Sequence, residues 1–360
     1  MTAYNSLSPD TAIGEEPVVL RKSEIPDDRD MLRAAAELTR DINTARPEIY
    51  WPDMILSALV GYGALAGAIL VENTWLAIAC GVVACMALYR AMLFIHEISH
   101  LHRNALPGFR GAWNLLVGIP LLTPSFMYED VHTLHHARTK YGTVEDPEYL
   151  PLALMKPWSL PLFVLVAVFA PVGLLVRFGI LTPLSLVFPR LRRFVWERFS
   201  ALSINPEFRR RPAEGEAKRR FFLIEMGASA WAIFLLTTPF WLGWKPLLVA
   251  AAVTSAVATF NQLRTLVAHL WENDGEAMTV TAQYLDSVNV PSPIAALWAP
   301  VGLRYHAMHH LVPSMPYHSL SEAHRRISAH LGVGSTFEGA NHPGMGPLIW
   351  RIGRSTMRRR

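Results

Sequence analysis

Charge is what this sequence has least of. Only 17% of its 360 residues are Asp, Glu, Lys or Arg, against 51% hydrophobic, where soluble globular domains carry roughly 25% charged residues. That shortage argues against a water-soluble surface over the whole chain. Cysteine is almost missing. Cys80 and Cys85, the only two, stand within one apolar run and read as small apolar side chains rather than a disulfide or a metal pair. The beginning also lacks the short basic region and short apolar core of a secretory signal. Residues 1–48 are therefore expected to be a cytosolic segment, partly disordered or interfacial. Within it, the stretch 27–43 has the propensity for a helix on the membrane surface.

The apolar residues are concentrated in runs at about 51–71, 74–95, 159–188, 221–243 and 246–268. These lengths bracket the roughly 20 residues that a helix needs to cross a bilayer core. Only Glu72-Asn73-Thr74 separates the first two runs, and Trp244-Lys245-Pro246 the last two, so each pair must form a helical hairpin. Arg33, Arg40 and Arg46 precede the first hairpin. Ten Arg or Lys against four Glu between Arg190 and Arg220 precede the second, and Arg358-Arg359-Arg360 follow it. The positive-inside rule puts all of these in the cytoplasm, where they set topology and meet anionic lipid rather than nucleic acid. The run 159–188 holds Pro161, Pro171 and Pro183, with Arg177 midway, which suits a bent interfacial or re-entrant segment. Trp51, Trp75, Trp241 and Trp244 mark span ends. The expected fold is all-α and integral to the membrane. Four transmembrane helices in two hairpins, an interfacial helical segment and a cytosolic histidine-box cap occupy residues 49–335, followed by a basic tail over 336–360.

Fourteen histidines are present, and eight fall in three boxes: His96-Glu97-Ile98-Ser99-His100, His132-Thr133-Leu134-His135-His136 and His306-Ala307-Met308-His309-His310. Residues three or four apart on a helix point the same way, so each box gathers imidazoles on one face. Neutral imidazole ligates iron, zinc, copper or nickel. Eight rings exceed what one ion can hold, so two metals are the natural count. His269, closing the last run on the same predicted side, would be a ninth ligand. Ligating histidines need partners for their second nitrogen, and Glu97, Asp130, Asp146 and Glu272 stand next to or near the boxes. A zinc-dependent membrane hydrolase would need fewer ligands around one ion. A metal transporter would place its ligands near mid-membrane.

An H-x-x-x-H box followed by two H-x-x-H-H boxes, interleaved with two hairpins, resembles the membrane fatty acid desaturase and hydroxylase superfamily over roughly residues 50–330. The third box and its continuation to Leu311-Val312-Pro313-Ser314-Met315-Pro316-Tyr317-His318 resemble the family's H-x-x-H-H-x-x-P-x-x-P-Y-H ending. The resemblance implies an oxidoreductase with two Fe ions and O2 as co-substrate. The eight box histidines and His269 would be the metal ligands, with His318 in a supporting position. Related desaturases can have an Asn, holding a water, four residues before the ligand equivalent to His269. Here that position is Thr265, with Asn261 one turn further back. The implied substrate is a lipid or acyl chain. A separate ferredoxin, or a small haem protein with its reductase, would supply electrons. A desaturase is the leading expectation, and a hydroxylase of an alkyl or acyl chain is the alternative.

Overall fold

The computed structural model describes residues 22–357 apart from 103, 151, 153 and 154. The expectations for the first 21 residues and the last three lie outside the described residues. Among those described there are helices, turns and three isolated bridges but no strand, as an all-α reading requires.

Helix α1 (Arg29–Leu38) starts where the Asp28 carboxylate accepts from the backbone N–H groups of Asp30 and Met31, satisfying donors that a helix start leaves free. It does not lie apart. Met31 and Ala35 share an apolar cluster with Ala323 and Ile327, which docks the amino-terminal segment on the opposite end of the chain. Helices α2 (Pro47–Leu70) and α3 (Thr74–His100) form the first hairpin. The Asn73 side chain caps α3 by accepting from Leu76 N–H. At Gly61 a Cβ would stand 2.6 Å from Leu88 Cδ2, so the two helices come as near there as an absent side chain permits.

Short helices α4 (Phe109–Trp113) and α5 (Val131–His135) lead to α6 (Ser159–Val168), α7 (Ala170–Val176) and α8 (Thr182–Val187), with a π turn at Arg177–Leu181 between the last two. α9 (Pro189–Phe199) precedes the second hairpin, formed by α10 (Gly215–Thr237), α11 (Pro239–Leu242) and α12 (Trp244–Leu266). The remaining helices are α13 (Val280–Asp286), α14 (His306–Leu311), α15 (Leu320–Leu331) and α16 (Met345–Met357).

Among the described residues, five helical stretches are long and apolar enough to cross a membrane, rather than the four expected. The additional one is Ala170–Val187. Its path is bent, as its prolines predict. α6 starts among Tyr141, Tyr149 and Trp271 beside the histidine boxes and descends along α12, with Gln262 donating to the Phe163 carbonyl and Ser255 to that of Val168. After α9 the chain is back at the same end, where the backbone N–H of Leu202 bonds the Met127 carbonyl and that of Ile204 the Pro147 carbonyl. Inside this excursion Arg177 donates to Glu225 on α10 at 2.8 Å, to Ser200 and to the Phe199 carbonyl.

Candidate metal centre

The first box ends α3, so His96 and His100 share a face one helical turn apart, with ring centroids 5.1 Å apart. The second is nearly all of α5, which begins abruptly after Asp130 in the left-handed region at φ 64°. The third is α14. Its first turn is held from outside, because Met308 N–H donates to Asn289 Oδ1 and Ala307 N–H to the Val288 carbonyl. His269 lies just past α12, bridged to Ser287, and the Leu270 N–H bonds the Asp286 carbonyl. Three separated helix ends and one loop thus meet at the same end of the bundle.

The nine imidazoles fall into two groups, His96, His100, His132, His136 and His309 in one and His135, His269, His306 and His310 in the other. Within each group one nitrogen per ring lies within 4.8 Å of all the others. In the first, His309 Nε2 is 3.0 Å from His100 Nε2 and 3.1 Å from His136 Nε2. In the second, His306 Nε2 is 3.0 Å from His269 Nε2 and 3.3 Å from His310 Nε2. Two nitrogens ~2.1 Å from one ion and at right angles about it are about 3 Å apart, and at the tetrahedral angle about 3.4 Å apart. The groups adjoin, with the His136 and His310 rings stacked at 4.3 Å between centroids.

The outer nitrogens explain the orientation. His132 Nδ1 meets Glu148 Oε1 at 2.7 Å, and His135 Nδ1 meets both oxygens of Asp146 at 3.0 and 3.1 Å. A carboxylate accepts, so each Nδ1 carries the proton and each Nε2 turns a lone pair inward. His269 Nδ1 reaches the Tyr141 hydroxyl at 2.9 Å, and Tyr141 and Tyr149 both donate to Asp286 Oδ2. Lone pairs facing one another repel unless a cation lies between them. Other buried nitrogens have no partner among the described residues: both of His96 and the Nδ1 atoms of His306, His309 and His310. Such orphans are costly in a finished interior.

Burial, with mutual repulsion among the rings, holds His132, His136, His269, His306, His309 and His310 well below the ordinary imidazole range. All six are therefore neutral and ready to ligate. Burial opposes protonation of His135 too, but the charge and hydrogen bond of Asp146 outweigh it, and its value rises. Nine borderline nitrogen donors fit two ions of the iron or zinc kind rather than calcium or magnesium, which prefer oxygen.

Of the expected supporting residues, only Asp146 touches an imidazole of the two groups among the described residues. Glu97 turns away to accept from the Tyr50 hydroxyl and from Tyr317 N–H at 3.1 Å. Its nearest approach to His96 Nδ1, 3.8 Å, is too long for a hydrogen bond. Asp130 is exposed. Glu272 pairs with Lys22 at 3.1 Å and Arg351 at 3.2 Å, Asn261 accepts from Arg264, and His318 lies beside Ser319 and the Arg46 N–H. Sequence reasoning missed Glu148, Asp286, Tyr141 and Asn289. Only Glu148 had a signal, as the second acid of Asp146-Pro147-Glu148, close after the second box.

A family model described as fatty acid desaturase matches residues 73–335. A ceramide hydroxylase of Caulobacter vibrioides (strain NA1000 / CB15N) is 43% identical over 334 residues, covering 90% of this chain and 95% of that protein. The chain belongs to the fatty acid desaturase family, a family of membrane oxidoreductases.

Proposed function

We propose that this chain is an O2-dependent lipid hydroxylase acting on a ceramide-type substrate. The choice of hydroxylase over desaturase rests on the near full-length relative, whose name is that of a ceramide hydroxylase. The observation that carries the oxygenase reading is the pair of adjoining imidazole groups at the end of an apolar helical bundle. His96, His100, His132, His136 and His309 would hold one iron, and His135, His269, His306 and His310 the other. Bound there, the two irons supply the oxygen activation that no side chain provides.

The chain's own residues do the rest. Glu148 and Asp146 fix the His132 and His135 tautomers, and Tyr141 passes the charge of Asp286 to His269. The buried aromatic layer of Tyr141, Tyr149 and Trp271 keeps water from the inner nitrogens. In the overall reaction a substrate C–H bond and O2 consume two electrons and two protons, giving a C–OH bond and water. The electrons come from a separate donor, a ferredoxin or a small haem protein with its reductase. In our reading four helices cross the membrane, because the stretch from α6 to α9 leaves and rejoins the histidine end. The boxes and both termini then face the cytoplasm, as the flanking Arg and Lys favour.

The test is lipid mass spectrometry of a host expressing the chain, beside a His309→Ala control. A ceramide-derived product gaining one oxygen, absent from the control, is expected. A product lacking two hydrogens would make the chain a desaturase, and identical products from both would remove the metal-site assignment.

A further inference from the structure

The buried face of α12 carries Val253, Val257 and, one turn before the helix ends, Arg264. Both valines join the core between α12, α2 and α3. Arg264 is 9% exposed. Its Nη2 donates to Asn261 Oδ1 at 3.1 Å, while its buried Nε has no partner. Among the described residues it forms no ion pair, whereas the buried Arg177 has Glu225. Burying a guanidinium is costly unless its donors and its charge are met.

The neighbours meet them only in part: the Tyr89 hydroxyl lies within reach as an acceptor and the Glu148 carboxylate attracts the charge without pairing with it, but Nε stays unmet. The Tyr89 hydroxyl donates to the Trp298 carbonyl, and the Tyr89 ring packs on Phe260, one turn before Arg264. Five residues on stands His269, in a group that would hold a further cation, so the guanidinium does not neutralise the centre. A buried donor still unmet, on the apolar side of the histidines, is free for an oxygen acceptor that arrives with the ligand. An apolar chain suits entry from this side, because α1, α13 and α15 pack over the third box at the other.

We propose that Arg264 binds the polar part of the lipid, donating N–H to an amide carbonyl or hydroxyl oxygen and so setting which carbon reaches the metal centre. This rests on the lipid hydroxylase reading. The planar guanidinium presents several donors in a fixed fork. It can grip an oxygen already flanked by a long chain, and a ceramide offers such oxygens next to its alkyl chains.

The experiment compares kcat/KM of the purified protein on a ceramide and on analogues lacking in turn each hydroxyl oxygen and the amide carbonyl oxygen. Iron content and the position of the new hydroxyl are read alongside. The wild type should prefer the ceramide over one of these analogues by between about tenfold and about a hundredfold, the worth of one charge-assisted hydrogen bond. In Arg264→Met that ratio should fall towards one and the new hydroxyl should spread over several carbons, with two irons still bound. Arg264→Lys should keep part of the ratio. Loss of iron from both variants, or an equal loss of rate on all substrates with unchanged hydroxyl position, would overturn the assignment. Absence of oxygen insertion by the wild type would instead overturn the functional reading beneath it, before any variant is compared.

Discussion

An imidazole has two nitrogens, and the one facing away decides what the inner one can do. Glu148 and Asp146 hold the outer protons of His132 and His135, so Glu148→Gln and Asp146→Asn should each weaken iron binding by about 10–100-fold. Iron retained after dialysis against a graded chelator series measures this, and full retention would remove these carboxylates from the centre. Acid should act through the same rings. Six imidazoles outside the spanning helices have folded values well below their ordinary one near 6.5, chiefly through burial. Below about 6.5 the unfolded chain takes up protons that the folded chain refuses. Stability of the metal-free protein is thus present above that value and lost as the pH falls beneath it. His135, raised by Asp146, works in the opposite direction but is a single ring. Thermal unfolding of chelator-stripped protein in detergent should show a lower midpoint at pH 5.5 than at pH 7.5, and an equal or higher one would contradict the burial argument. The histidines were legible beforehand because their spacing is local. Tyr141 and Asp286 were not, because they meet across 145 residues of sequence, a distance that no spacing rule spans.

On the scale of elements, the H-x-x-H-H box divides its rings between two sites. Its i, i+4 pair enters one group, His132 with His136 and His306 with His310, while the i+3 ring, His135 or His309, enters the other. Positions i+3 and i+4 differ by about 100° around a helix of 3.6 residues per turn, enough to aim neighbouring rings at neighbouring ions. The spacing predicted gathered rings; their division follows from how α5 and α14 are set against each other, which only the tertiary contacts reveal. The bend of the run 159–188 was legible from its prolines, but its anchor was not. Arg177 is tied to Glu225 at 2.8 Å, and Glu225 also accepts from Arg192. Leaving one buried charge unpaired typically costs about 3–5 kcal/mol, so Glu225→Gln should destabilise the protein by about that amount. Pairing it with Arg177→Met should recover much of the loss, because the stranded cation is then removed. Unfolding midpoints of the two variants give the comparison, and a Glu225→Gln protein as stable as the wild type would deny the ion pair its anchoring role.

For the molecule as a whole, the question is which parts face which side of the membrane, and length and composition cannot answer it, since five stretches qualify as spans. The path of the chain argues for four crossings. Were the stretch from α6 to α8 a single net crossing, residues 200–214 would lie across the bilayer from the second box. Instead Asn205 donates to the carbonyls of Val144 and Asp146, within the loop that follows that box. Both hairpin tips, around Asn73 and Lys245, point away from the histidines and carry the exposed Trp75, Trp241 and Trp244, as an aromatic belt would. Both native cysteines lie in α3, so a cysteine-free background needs only Cys80→Ala and Cys85→Ala. Single replacements Asn73→Cys, Lys245→Cys, Glu207→Cys and Val333→Cys on that background, all at exposed positions, can then be treated in intact cells with a membrane-impermeant maleimide. Asn73→Cys and Lys245→Cys should label from outside, and the other two only after permeabilisation. If Glu207→Cys labels from outside while Asn73→Cys also does, the stretch from α6 to α8 makes one net crossing. The basic stretch 190–220 would then lie on the side that the positive-inside rule disfavours, and the shared cytoplasmic face of the three boxes would be lost with it.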